Sequence, residues 1–246
     1  MRAPSLAATL VAVAWLTAAG GPALAGDWAE RTILGFSADG ATFAFEEFGV
    51  QDGSGFPYAN IYVIDTATDS WVRGTPVRVR VEDETVNLDE VRAKALEDAE
   101  PVIAARGGLD GRYRIVASNP PTELSADPLA VSFLPDLYAN LPDAAWDLRL
   151  TPLPMPDGEA CAHFGPVAGF RLDLVGPDGS RHVLHEDRSL PASRACPTGY
   201  AITDVIVSRP DGRGPPVLVV LLNLFRQGFE GPDRRYLAVA TRLPGL

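Results

Sequence analysis

From Thr32 to Thr241 apolar and polar residues alternate with a period of two, in short runs cut by glycine, proline and Asp-Gly pairs. Successive side chains of a strand point to opposite faces, so each such run can bury one face and solvate the other. Thr32–Phe36, Thr42–Phe48, Asn60–Asp65, Val77–Val81, Tyr113–Ala117 and Trp146–Leu150 read as half-buried strands. So do Phe170–Val175, Arg181–His185, Ile202–Ser208, Val217–Leu224 and Arg235–Thr241. Ala38-Asp39-Gly40, Pro177-Asp178-Gly179 and Pro210-Asp211-Gly212 supply the positive φ that tight hairpins demand. The expected class is mainly β and antiparallel, with α+β or a β-sandwich as the alternatives.

One segment departs from that period. "NLDEVRAKALEDAEPVIAARGG" places Leu88, Val91, Ala95, Ala99, Val102 and Ile103 on one helical stripe, with Asn87 and Glu90 at capping-box spacing. A helical insertion is therefore expected at about 87–107. Pro101 lacks an amide donor and crowds the preceding turn, which predicts a kink or two abutting helices. The proline-rich stretch from Asn119 to Trp146 reads as an ordered but irregular connection.

The two ends of the chain resemble each other. Aligning the segment from Ser37 with that from Ser208 matches Asp39-Gly40 to Asp211-Gly212, Gln51 to Gln227 and Thr66 to Thr241. Each copy reads strand, Asp-Gly turn, strand, glycine-rich loop, strand, over about 31–72 and 202–242.

Residues 1–25 carry one basic residue, Arg2, an apolar run from Leu6 to Ala19, a Gly-Gly-Pro break and the small-residue pattern Ala23-Leu24-Ala25. This predicts a secretory leader cut after Ala25, leaving one β-rich domain at 26–246 with a periplasmic or secreted address. No later run has the roughly 20 apolar residues of a membrane span. Without Arg2, 20 basic side chains face 32 acidic ones. Such a balance argues against nucleic acid or anionic membranes as partners. Cys161 and Cys196 are the only cysteines. In an oxidising compartment an even pair predicts a disulfide, worth roughly 3–4 kcal/mol for a loop of about 36 residues.

"GFSADGATFAFEEFGVQDGSGFPY" followed by "IYVIDTATDSW" resembles the blade motif of TolB-type β-propellers, in which a Ser-x-Asp-Gly turn precedes one strand and an "IYVID" strand ends before a Thr-rich turn. The resemblance implies β-propeller-blade-like units around the inserted helix. Over nearly the whole chain after the leader, "FGVQDGSGFPY" and "LHEDRSLPASRACPTGY" also resemble a family of predicted secreted bacterial proteins of unknown function. That resemblance implies a compartment and a fold, and it carries no activity, catalytic residue or cofactor.

Of the three histidines, His182 and His185 are expected on opposite strand faces, which does not favour a shared metal; no metal or cofactor is expected. Cys161 lies two residues from His163, but a disulfide would leave no thiolate for a Cys–His dyad. Glu46 and Glu47 face opposite sides of a strand, and Glu46 would meet Asp65 only if the register allowed it. The glycine-rich loops are the candidate binding elements. The first offers Gln51, Asp52, Ser54, Phe56 and Tyr58; the second offers Arg226, Gln227, Phe229, Glu230 and Arg234. If the two copies pack side by side, these loops share one rim. The competing reading is that the glycines only permit tight backbone paths and that Phe56 and Phe229 plug their own loops. A non-catalytic envelope component binding a protein or small ligand is the expected function. A periplasmic hydrolase using His185 or nearby acids, and a purely structural protein, are the alternatives.

Overall fold

Among the described residues (26–120, 123–135, 144–156, 161–163, 165–210 and 215–243), the computed structural model contains thirteen strands and one α-helix. The leader and the Asp211-Gly212 turn lie outside them. The first sheet is the antiparallel run β1 (Glu30–Phe36), β2 (Thr42–Val50), β3 (Pro57–Asp65) and β4 (Ser70–Trp71), with β5 (Val77–Arg80) also paired to β3. Helix α1 (Leu88–Ala105) follows, and β6 (Tyr113–Ser118) enters a middle sheet. The chain then leaves to build a third sheet from β7 (Ala130–Phe133), β8 (Trp146–Pro154), β9 (Ala168–Val175) and β10 (Arg181–Glu186). It returns as β11 (Pro197–Ser208), β12 (Val217–Gln227) and β13 (Pro232–Arg242), giving the middle order β13-β12-β11-β6. No closed barrel or propeller forms among the described residues; three antiparallel sheets with one helix do.

The period-two pattern sets the layering. On β12, Leu218, Val220, Leu222 and Leu224 pack with Leu148, Phe170, Leu172 and Leu174 of the third sheet. Val217, Val219 and Leu221 face the other way, onto Phe43, Phe45 and Ile64 of the first sheet. The opposite face of the first sheet, with Ala44, Phe48, Ile61 and Val63, is covered by Val91, Ala95 and Ala99 of α1. The order of layers is helix, first sheet, middle sheet, third sheet.

Helix α1 starts where expected: the Asn87 side chain accepts from the Asp89 amide at 2.8 Å. It does not break at Pro101, which lies inside one continuous helix. Pro101 is exposed in the last turns, where its ring points to water, while the small residues Ala95 and Ala99 keep the axis docked on the sheet. Two strands were not expected. β4 has two residues and β7 sits within the stretch read as irregular; both are too short to show a period.

Cys161 and Cys196 are bonded, joining the β8–β9 connection to the start of β11. Because the bridge closes a separation of 35 residues, replacing both cysteines by serine is expected to lower unfolding free energy by about 3 kcal/mol, measured by urea denaturation.

Candidate functional site

One face of the first sheet builds the wall of a cleft. Phe45 and Glu47 on β2 and Tyr58, Asn60, Tyr62 and Ile64 on β3 share that face by alternation, and all six line a cavity of about 310 Å³. The register sets Arg78 opposite Asn60 and Arg80 opposite Tyr58, so both β5 arginines join the same face. Trp71 of β4 and the β12–β13 residues Arg226, Arg235, Tyr236 and Ala238 complete the cleft, with Ser193 and Arg194 from the turn before β11.

Its aromatic side is continuous. Phe45 and Tyr62 stack at 4.7 Å, Trp71 lies 6.1 Å from Tyr62, and the Arg78 guanidinium sits over the Trp71 ring at 5.6 Å. Among the described residues Arg78 has no carboxylate within ion-pair distance. Arg226 has one loose contact, 3.5 Å to Asp233. Arg235 is held: it pairs with the Asp27 carboxylate, donates to the Asp27 carbonyl at 2.8 Å and lies over the Tyr58 ring.

Glu47 is buried at the cleft floor. It accepts from the Tyr236 amide at 2.6 Å and the Asn60 side chain at 2.9 Å, with the Tyr62 hydroxyl at 3.4 Å. Burial pushes its carboxyl above the ordinary range, outweighing the Tyr236 amide, Asn60, Arg235 and Arg226, which favour the ion. Burial likewise raises the Tyr58 and Tyr62 phenols, so both are neutral hydrogen-bonding groups.

A second hollow of about 270 Å³ adjoins the first, sharing Ile64, Trp71, Arg194 and Ala238. There the His185 Nε2 lies 2.8 Å from Asp187 Oδ1, and the ring stacks on Phe170 at 4.5 Å. Asp187 Oδ2 accepts from the Phe170 amide at 2.8 Å and from Arg194 at 2.6 Å. Burial raises the Asp187 carboxyl, and bonds from His185, Phe170 and Arg194 more than reverse this, leaving it below its usual value. Asp69, at φ 48°, aims its carboxylate at the Ala240 amide, 2.7 Å away. Burial raises its pKa against the pull of that amide, His185 and Arg194.

The two glycine-rich loops do meet. A Cβ on Gly53, where φ is 80°, would lie 3.4 Å from the Phe229 ring. Of the loop residues, Gln51, Tyr58 and Arg226 line the cleft. Ser54 is turned inward on its own loop, bonding the Phe56 amide at 3.3 Å, and one Asp52 carboxylate oxygen is buried without a partner. Phe56 is half-buried, whereas Phe229 is 80% exposed and plugs nothing. Gln227 and Glu230 are exposed outside the cleft, and Arg234 is buried under Trp28, donating to the Ala29 carbonyl at 2.9 Å.

Two finer expectations are corrected. His182 and His185 share a face, since a bulge between Val183 and His185 sets them opposite Leu174 and Leu172. Glu46 does not meet Asp65: it pairs with Ile61, four positions away, and forms a two-pronged ion pair with Arg92 of α1. As expected, Cys161 is bonded to Cys196 and so offers His163, which is exposed, no thiolate. Tyr62, Trp71, Arg78 and Arg80 were not among the expected site residues, and Glu47 was named only for its strand face; "VRVR" at Val77–Arg80, two arginines at strand period, is the signal that could have singled out Arg78 and Arg80.

The fold and site are those of a layered β protein with an open cleft walled by aromatic and arginine side chains. The chain belongs to a family described as predicted secreted protein (DUF2259), matched over residues 44–242. That description agrees with a periplasmic or secreted location. No curated protein matches the sequence. No helix among the described residues is long and apolar enough to cross a membrane.

The raised Glu47 carboxyl has a defined stability signature. Its stabilising contribution is present below its ordinary value of 4.5 and is lost as pH rises through the folded value. Glu47→Gln, neutral at every pH, is expected to gain on the wild type over that window by up to about 1.4 kcal/mol per pH unit. Parallel urea titrations across pH 4 to 8 measure this; parallel curves for the two proteins would contradict it.

Proposed function

We propose that this protein is a non-catalytic binding component of the cell envelope, exported after cleavage behind Ala25, whose cleft takes a small organic anion with a flat or apolar portion. The observation that carries the reading is Arg78: a guanidinium placed over Trp71 inside a concave site, with no carboxylate partner among the described residues. A free guanidinium beside an aromatic wall recognises carboxylate or phosphate while the ring face takes the apolar part. Arg226 and Gln51 bring both glycine-rich loops to the rim of the same cleft. In this reading residues 26–246 act as one domain, and the meanders β1–β3 and β11–β13 are blade-like units of the TolB-type kind.

The hydrolase alternative rests on the His185–Asp187 contact. That pair fits a brace better, because both Asp187 oxygens are taken and Arg194 also approaches His185 Nε2, at 3.2 Å. No hydroxyl among the described residues is hydrogen-bonded to His185.

Trp71 reports on the site. Titrating a panel of aryl carboxylates is expected to change its fluorescence, with the matching neutral amides silent and Arg78→Gln weakening binding by tenfold or more, as for a lost charge-assisted hydrogen bond of about 1.5–3 kcal/mol. Equal responses to acids and amides, or an unaffected Arg78→Gln, would overturn the reading. Ester hydrolysis that disappears in His185→Gln would favour the hydrolase instead.

A further inference from the structure

The edge strand β13 sharpens what the anion should be. Its ladder to β12 is regular from Pro232 to Arg242. In an antiparallel ladder alternate residues turn both N–H and C=O away from the neighbour. The outward set is fixed by three contacts. The Arg234 amide bonds Asp27 O at 2.9 Å, the Tyr236 amide bonds Glu47 at 2.6 Å, and the Ala240 amide bonds Asp69 at 2.7 Å. Ala238 has the same parity, so its N–H and C=O also point outward. It is half-buried, it lines both hollows, and none of the described residues hydrogen-bonds these two groups.

An edge with outward N–H and C=O is a template for another extended chain. Here the template is cut to a window. Glu47 occupies the amide at 236 and Asp69 the amide at 240, four positions apart, or about 13 Å at about 3.3 Å per residue. Only about two or three residues of a strand fit between them. Arg78 and Arg226 line the same cavity and complement a negative chain end.

We propose that the cleft binds the end of a short extended peptide, its backbone pairing with Ala238 and its free terminal carboxylate taken by Arg78 and Arg226. This rests on the anion-binding reading and narrows it. Main-chain pairing supplies affinity without reading sequence, and the Tyr62–Trp71 wall receives one side chain.

The test uses the full chain from Gly26 and a mixture of N-acetyl tripeptides with free carboxyl ends, beside the same mixture amidated. Nuclear magnetic resonance follows the Ala238 amide shift and its hydrogen exchange. The acids are expected to slow exchange at Ala238, and the amides to have no effect. Ala238→Pro removes only an outward donor, which edge strands tolerate, and is expected to weaken the peptides by about tenfold, more than it weakens aryl carboxylates, which do not pair with that amide. Should that variant melt early, the wild-type exchange data decide alone. Binding of aryl carboxylates without binding of peptides, or with Ala238 exchange unchanged by peptide, overturns this inference and leaves the anion reading intact. Equal binding of acids and amides overturns the role of the carboxylate. Failure of every acid, aryl or peptide, overturns both.

Discussion

Burial of β12 on both faces governs the rest of the molecule. From Val217 to Leu224 every residue is buried, including Asn223, and no polar face remains for water. A strand of that kind is stable only between two apolar layers, each fully buried aliphatic side chain contributing about 1.5–3 kcal/mol. The first and third sheets are those layers: Val217, Val219 and Leu221 pack on the first, and Leu218, Val220, Leu222 and Leu224 on the third. Polar ties then fix how the layers sit. The wholly buried Asp204 of the middle sheet is paired with Arg31 of the first and accepts from Ser118 at 2.8 Å.

Stacking open sheets leaves edges, and the way one edge is closed creates the cleft. Among the described residues β13 has no strand on its outer side beyond the bridge at Trp28–Arg234. Its amides cannot be left dry and unpaired, since each would forfeit about 1–3 kcal/mol. Two carboxylates perform that task, Glu47 from the first sheet and Asp69 from the tight turn between β3 and β4. A side chain reaching across to cap an edge holds the layers apart locally. The space so kept open is the aromatic and arginine-lined hollow.

Much of this was legible in the sequence because most strands run five residues or more, long enough to show a period. The helix was legible from its stripe and Asn87, and the meeting of the two loops from the end-to-end resemblance. What escaped was set by pairing across strands. The cleft combines odd positions of β2 with even positions of β3 and β5, which only register aligns. The shared face of His182 and His185 depends on one bulged residue, invisible to a period-two count. The insertion of β7–β10 between two neighbours of the middle sheet is a long-range pairing with no local signature.

Whether such a site binds or reacts is a question of which polar groups are already engaged. Catalysis by acid or base needs a group free to exchange a proton with a ligand, at hydrogen-bonding distance from it. Asp187, Asp69 and Glu47 each hold a backbone amide, so moving a proton through any of them would loosen the fold at that point. The arginines of the cleft are differently placed. Removing Arg78 breaks no ion pair among the described residues, yet its charge stands in a chain whose net charge is −11. At physiological salt the acidic surface is screened beyond about 8 Å, so an anion that reaches the cleft meets Arg78 and Arg226 rather than the molecule's average. Two such guanidiniums, an aromatic wall and one open peptide unit are groups suited to holding a ligand still.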